Sequence, residues 1–270
     1  MIVLFTFLAG IGAGSLGALL GLGGGIFLVP ILNIALDIPL PQAMAISLVT
    51  VIATSNFVSL ASAGQKSANI RLAMLLQVVA AVGAIGGTYL DDYLSLRTRE
   101  QIFGATAMLV AGVIVSRLNQ RNVLPGHVED VGVLGGWFED HDTGEIVAYR
   151  LNRAPLAAGV AAGAGVISTL AGIGGGILIV PALNSWCGVP MRVAAATSAV
   201  ILGVTAIPGV IDKFADGHLA SPILAAAGVL GVLAGSRAGF WIGPRVKVRS
   251  LKILLALVLA VVASEYLFFK

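Results

Sequence analysis

Two short segments hold the residue types best suited to binding chemistry in this chain: Gly21-Leu-Gly-Gly-Gly25 and Gly172-Ile-Gly-Gly-Gly176. Neither contains a nucleophile or a titratable group, so what they offer is backbone. Successive glycines weaken a helix by roughly 1 kcal/mol per residue, so a helix is expected to stop before them and restart after them. The restart presents free N–H groups and the positive end of a helix dipole, both of which attract anions. Asn33 and Asn184 follow one turn beyond Pro30 and Pro181, and Ser47, Thr197 and Ser198 fall in the next segments. Amides and hydroxyls donate to an oxyanion without the desolvation cost of a buried charge. The competing role of each Ser or Thr is a bond back to its own helix or to a neighbouring one. The candidate substrate-binding set is therefore Gly23, Gly24, Gly25, Asn33 and Ser47 with Gly174, Gly175, Gly176, Asn184, Thr197 and Ser198.

Other chemistries find no support. His127, His141 and His218 lack metal-ligand spacing, and there is no Ser/His/Asp or HExxH arrangement, so neither a metal site nor an enzyme is expected. Gly12 to Gly17 matches GxGxxG but lies in an uncharged run with no preceding strand, which argues against a dinucleotide cofactor. No other cofactor is indicated. The single cysteine, Cys187, cannot form an internal disulfide and is expected to pack. Most basic residues sit between apolar runs, a pattern of membrane topology and not of nucleic-acid binding. Asp212 and Lys213, following Pro208 and Gly209, read as an exposed loop pair.

The elements that must position the glycines are membrane helices. Of 270 residues, 58% are hydrophobic and 11% charged, against about 25% charged in an ordinary soluble domain. None of Asp, Glu, Lys or Arg occurs in 2–36, 38–65, 72–90, 154–191, 193–211 or 218–236. A bilayer crossing needs about 20 apolar residues. The short alternating strands of a membrane barrel are absent from these runs, so the fold class is all-α and polytopic. The amino-terminal run reads as a retained span, since no basic residues precede it and no small-residue cleavage site follows.

The chain is also duplicated. A shift of 151 residues brings Gly21 through Pro30 onto Gly172 through Pro181, Asn33 onto Asn184, Pro39 onto Pro190 and Ser47 onto Ser198, without a gap. Three regions follow: a first transmembrane repeat (1–117), a polar linker (118–152) and a second repeat (153–270). The linker carries Glu129, Asp130, Glu139, Asp140, Asp142 and Glu145, and its segment to Arg150 suits a small hairpin turning at Asp142-Thr-Gly144. Each repeat reads as a helix into the break (2–20; 155–171), a short segment after it (26–36; 177–187) and three spans (43–63, 71–90, 100–117; 193–211, 219–240, 251–269). An eleven-residue helix extends about 16 Å, half a membrane, so each break is expected to form a re-entrant or V-shaped hairpin.

If each hairpin returns the chain to its side of entry, the repeats are inverted. Twelve of the sixteen Lys and Arg (66, 71, 117, 121, 150, 153, 192, 237, 245, 247, 249, 252) then share one face, leaving 97, 99, 213 and 270 on the other. Parallel repeats would give eight against eight. Cytoplasmic loops are enriched in Lys and Arg, which favours inverted repeats with both termini outside and the linker in the cytoplasm.

With GxGGGxxxVPxL in both halves, followed by Pro39 to Ser47 and Pro190 to Ser198, the chain resembles the TauE/SafE sulfite exporter family (TSUP). The resemblance implies an inner-membrane carrier of small sulfur-containing anions such as sulfite or organosulfonates. The mechanism expected is alternating access of the two repeats, with a bilayer and a small anion as partners and a homo-oligomer as a further possibility. The alternatives are a membrane receptor or scaffold acting through the linker, and an anion channel.

Overall fold

A computed structural model describes residues 1–64, 68–116, 131–140, 145–217, 221–242 and 248–266. Among them, the first half forms α1 (Ile2–Leu20), α2 (Gly25–Pro30), α3 (Leu40–Gly64), α4 (Ile70–Asp91) and α5 (Leu96–Ser116). The second half forms α6 (Ala154–Ala171), α7 (Gly176–Ser185), α8 (Met191–Ala215), α9 (Pro222–Ile242) and α10 (Val248–Ser264). Helix α2 runs on as a π-helical turn over Ile31–Ala35. Six helices, α1, α3, α4, α6, α8 and α9, are long and apolar enough to cross a bilayer, and the protein is a polytopic all-α membrane protein. Helix α5 is less apolar because its first turns carry Arg97, Arg99 and Glu100.

Glycine decides how these helices pack. The main face of α9 against α1 carries Gly231, Gly235 and Gly239, whose missing side chains leave room for the carbonyls of Phe7, Ile11 and Ser15 respectively. The contact register rises on both helices together, so they run parallel. Ser15 Oγ adds a 2.9 Å bond to the Gly235 carbonyl across the seam. Helices α4 and α6 repeat the arrangement, with Gly83 against Ala162 and Gly87 against Val166. Small residues at four-residue spacing allow this close backbone approach.

The central pair is α3 and α8. Ser55 Oγ donates to the Ala199 carbonyl, whereas Leu48 lies beside Gly209, so the register falls on one helix as it rises on the other and the pair is antiparallel. Helix α5 packs on α10, and just past the end of α10 the Tyr266 ring lies 4.8 Å from that of Phe103. Contacts between the halves thus come in reciprocal sets: α1 with α9 and α6 with α4, α3 with α9 and α8 with α4. That reciprocity describes an approximate twofold relation.

The expected linker hairpin is present as β1 (Gly136–Asp140) and β2 (Glu145–Tyr149), antiparallel with Trp137 opposite Ala148. The turn residues Asp142 to Gly144, the histidines 127, 141 and 218, and several loop cations, Lys66 and Lys270 included, lie outside the described residues. Strand β2 leans on the helices. Asn69 Nδ2 donates to Tyr149 Oη at 2.9 Å and to the Leu134 carbonyl at 2.9 Å, and burial pushes the Tyr149 hydroxyl above its usual pKa. Cys187 is buried, as expected. Its carbonyl accepts from Asn152 N at 2.9 Å, and burial raises the pKa of its thiol while Arg153 partly offsets that rise.

The loop reading of Asp212 and Lys213 needs correction. Helix α8 continues through Pro208 to Ala215 and carries both residues. Lys213 is 1% exposed and ion-pairs with Asp91 at the end of α4, itself 2% exposed, which also holds Arg99 Nε at 2.8 Å. Pro208 lies inside α8 without ending it, as membrane helices allow where the freed backbone carbonyl finds another donor.

Candidate functional site at the paired glycine breaks

Each break begins with a glycine that ends a helix in the left-handed region. Gly21 closes α1 at φ 69 and Gly172 closes α6 at φ 67, a conformation that costs glycine nothing and other residues 1–2 kcal/mol or so. The chain then doubles back. A Cβ on Gly24 would stand 2.8 Å from the Ala13 carbonyl, and one on Gly175 would stand 2.8 Å from the Ala164 carbonyl, the equivalent residue. Helices α2 and α7 therefore start against the bodies of α1 and α6, as the hairpin reading requires. The first helical bonds run from Phe27 N to Gly24 O and from Leu178 N to Gly175 O. The amides of Gly25, Ile26, Gly176 and Ile177 precede that ladder, where helix N–H groups have no intrahelical acceptor.

The two hairpin tips touch each other. A Cβ on Gly25 would lie 2.8 Å from the Ile173 carbonyl, and one on Gly176 would lie 2.9 Å from the Gly21 carbonyl. Helices α3 and α8 wall the tips with residues equivalent under the 151-residue shift. Met44 lies against Gly172 and Ala195 against Gly21, while Val51 and Leu202 each lie against both Gly23 and Gly174. Residues three and four apart share a helix face. Ser47 stands between Met44 and Val51, and Ser198 between Ala195 and Leu202, so both hydroxyls belong to the faces that meet the breaks. Ser47 Oγ would lie 2.7 Å from a Cβ on Gly25.

Both serines are fully buried, and among the described residues neither Oγ has a hydrogen-bond partner. Burying a hydroxyl unpaired costs about 1–3 kcal/mol. Nearby hydroxyls avoid that cost: Thr50 donates to the Ser47 carbonyl at 2.7 Å and Thr54 to the Thr50 carbonyl at 2.9 Å.

Among the described residues a third buried hydroxyl, Ser168, is unpaired, and it is absent from the set read from sequence. It occupies the position in α6 that Gly17 holds in α1, where a Cβ runs into the Gly24 backbone. The second break accommodates it differently: Gly175 adopts φ −65, whereas Gly24 has φ 78. The repeat alignment contained the signal, since a polar residue opposite a glycine next to the break is a departure from symmetry.

The asparagines stand elsewhere. Asn33 Nδ2 donates to the Ile38 carbonyl at 2.9 Å and Asn184 Nδ2 to the equivalent Val189 carbonyl at 3.0 Å. They tie down the turns at the far ends of the half-helices, about 12 Å of helix rise from the tips. Thr197 Oγ1 accepts from Asn69 N at 3.0 Å and joins α8 to the start of α4. The structure thus brings the six glycines and two serines together, and leaves Asn33, Asn184 and Thr197 outside that cluster. Among the described residues no group of three or more His, Cys, Asp or Glu is placed to hold a metal.

The profile of the family described as Sulfite exporter TauE/SafE matches residues 6–266. The chain belongs to the TauE/SafE family. That match takes in both hairpins, and it makes this TauE/SafE protein a membrane transporter by family. The probable membrane transporter protein YunE of Bacillus subtilis (strain 168) is 26% identical over 266 residues, covering 96% of this chain and 95% of that one. No solved structure matches.

Proposed function

We propose that this TauE/SafE protein carries a small anion, sulfite or a short organosulfonate, at the junction of its two glycine hairpins. The observation that carries the reading is the repeat-related pair of fully buried, unpartnered hydroxyls, Ser47 and Ser198, on the helix faces that meet the tips. A negatively charged oxygen at the junction supplies the acceptor that each hydroxyl lacks, and the amides at the starts of α2 and α7 add donors without adding charge.

Transport then proceeds by alternating access of two inverted repeats in the inner membrane. The antiparallel α3/α8 pair supports the inversion, because equivalent helices cross antiparallel when the twofold axis lies across them. The charges support it as well. Arg99 and Lys213, on the sparsely basic face, meet at Asp91, while Asn69, Tyr149 and Thr197, at the end that carries the cation-rich loops, are bonded together. Both termini then lie outside and the linker hairpin lies in the cytoplasm.

Purified protein in liposomes tests the reading. Saturable sulfite or sulfonate flux by the protein alone is expected. Flux rising linearly with concentration would mark a channel, and no flux of either anion would refute the assignment.

A further inference from the structure

The same two side chains close off both tips. A Cβ on Gly23 would lie 2.9 Å from Val51 Cγ1 and 3.2 Å from Leu202 Cδ1, and one on Gly174 would lie 2.9 Å from Val51 Cγ1 and 3.2 Å from Leu202 Cδ2. Val51 and Leu202 are themselves 151 residues apart, and both are fully buried. Two equivalent residues that each touch both breaks stand at the approximate twofold axis. With Leu48 and Ala206 they form an apolar cluster distinct from the main core.

Resting on the anion-carrier reading, we propose that Val51 and Leu202 determine the specificity of the site. The glycines that bind have no side chains with which to measure a ligand; Ser47 Oγ meets Gly25, whereas the atoms nearest Gly23 and Gly174 are those of Val51 and Leu202. The branched pair therefore limits the space between the tips. Valine is stiff about χ1, and close-packed surroundings let neither residue yield readily. The pair is also chemically one-sided. An oxygen turned toward it would be desolvated with no donor to receive it, whereas a sulfur lone pair or a short alkyl group has nothing to lose there. The site is accordingly selective for sulfite and short-chain sulfonates, which can turn a lone pair or an alkyl group toward the pair, over sulfate, whose fourth oxygen would face it.

Proteoliposome flux of sulfite, propanesulfonate and sulfate tests this. If the wild-type protein moves neither sulfite nor propanesulfonate, the carrier reading itself fails before any variant is compared. With wild-type flux established, Val51→Ala and Leu202→Ala should raise the propanesulfonate-to-sulfite flux ratio about tenfold, the usual discrimination for a methylene-scale change in a pocket. The near-isosteric Val51→Thr keeps the volume and adds a donor, and it should raise the sulfate-to-sulfite ratio several-fold. Unaltered ratios in alanine variants that still carry sulfite would overturn the proposal. Should the alanine variants fail to insert, an unaltered sulfate ratio in Val51→Thr would overturn it alone.

Discussion

Asp91 and Lys213 are separated by 122 positions in the chain, and nothing near either residue announces the other. Lys213 follows a proline and a glycine, which together suggest a loop. Only tertiary packing shows that α8 continues and buries the ammonium against Asp91, with Arg99 on the same carboxylate and Asp212 Oδ2 at 3.3 Å from Nζ. The repeat offers no counterpart: Ser62 stands at the position equivalent to Lys213 and, with the one-residue insertion that brings Gly83 and Gly87 onto Gly235 and Gly239, Gly243 at that equivalent to Asp91. Removing one partner of a buried pair leaves an uncompensated charge, so Asp91→Asn should destabilise the protein by about 3–5 kcal/mol. Adding Lys213→Met should recover part of that loss. Thermal denaturation in detergent measures both effects, and a neutral Asp91→Asn would show that the pair carries no net weight.

Much of the element scale was legible. The uncharged runs and glycine breaks located α1, the two half-helices and α6 to within a residue or two at most ends, because hydrophobic length and the absence of side chains are local properties. The π turn after Pro30 and the extension of α8 were not legible, since both depend on neighbouring helices. The repeat-related asparagines looked like ligands because their types suit an anion; their capture by the Ile38 and Val189 carbonyls is a matter of turn geometry. Which glycines pack and which do not also requires the fold. Gly235→Ala would drive a methyl into the Ile11 carbonyl and should cost about 1–3 kcal/mol. Gly12→Ala meets none of the described atoms within 4 Å and should stabilise α1 by about 0.5–1 kcal/mol. The same denaturation assay compares them, and equal effects would contradict the assignment of α1/α9 as a glycine-lined seam.

At the scale of the whole molecule, the proposed topology has two faces of opposite exposure. The proposed topology puts Tyr93, 87% exposed beside Asp91, on the outer face and Arg150, exposed at the end of β2, on the cytoplasmic face. In intact cells a membrane-impermeant maleimide should label Tyr93→Cys and spare Arg150→Cys. Cys187 gives a quiet background because it is buried and its thiol pKa is raised. The reverse labelling would invert the topology, and labelling of both would refute a closed bilayer body.

The duplication, read from sequence, brought the two breaks into correspondence, and the fold brought them into contact with one another and with two orphan hydroxyls. On the proposed reading an anion completes those hydroxyls. The most direct measurement is the sulfite-dependent thermal shift of the wild-type protein against Ser47→Ala/Ser198→Ala. A ligand that binds only the folded state at 100 times its Kd stabilises it by about 2.7 kcal/mol, so wild type should show a saturable rise in Tm. The double variant loses two unpaired buried groups, so its Tm without sulfite should match or exceed that of wild type, while its sulfite-dependent rise should disappear. An equal rise in both proteins would contradict the account.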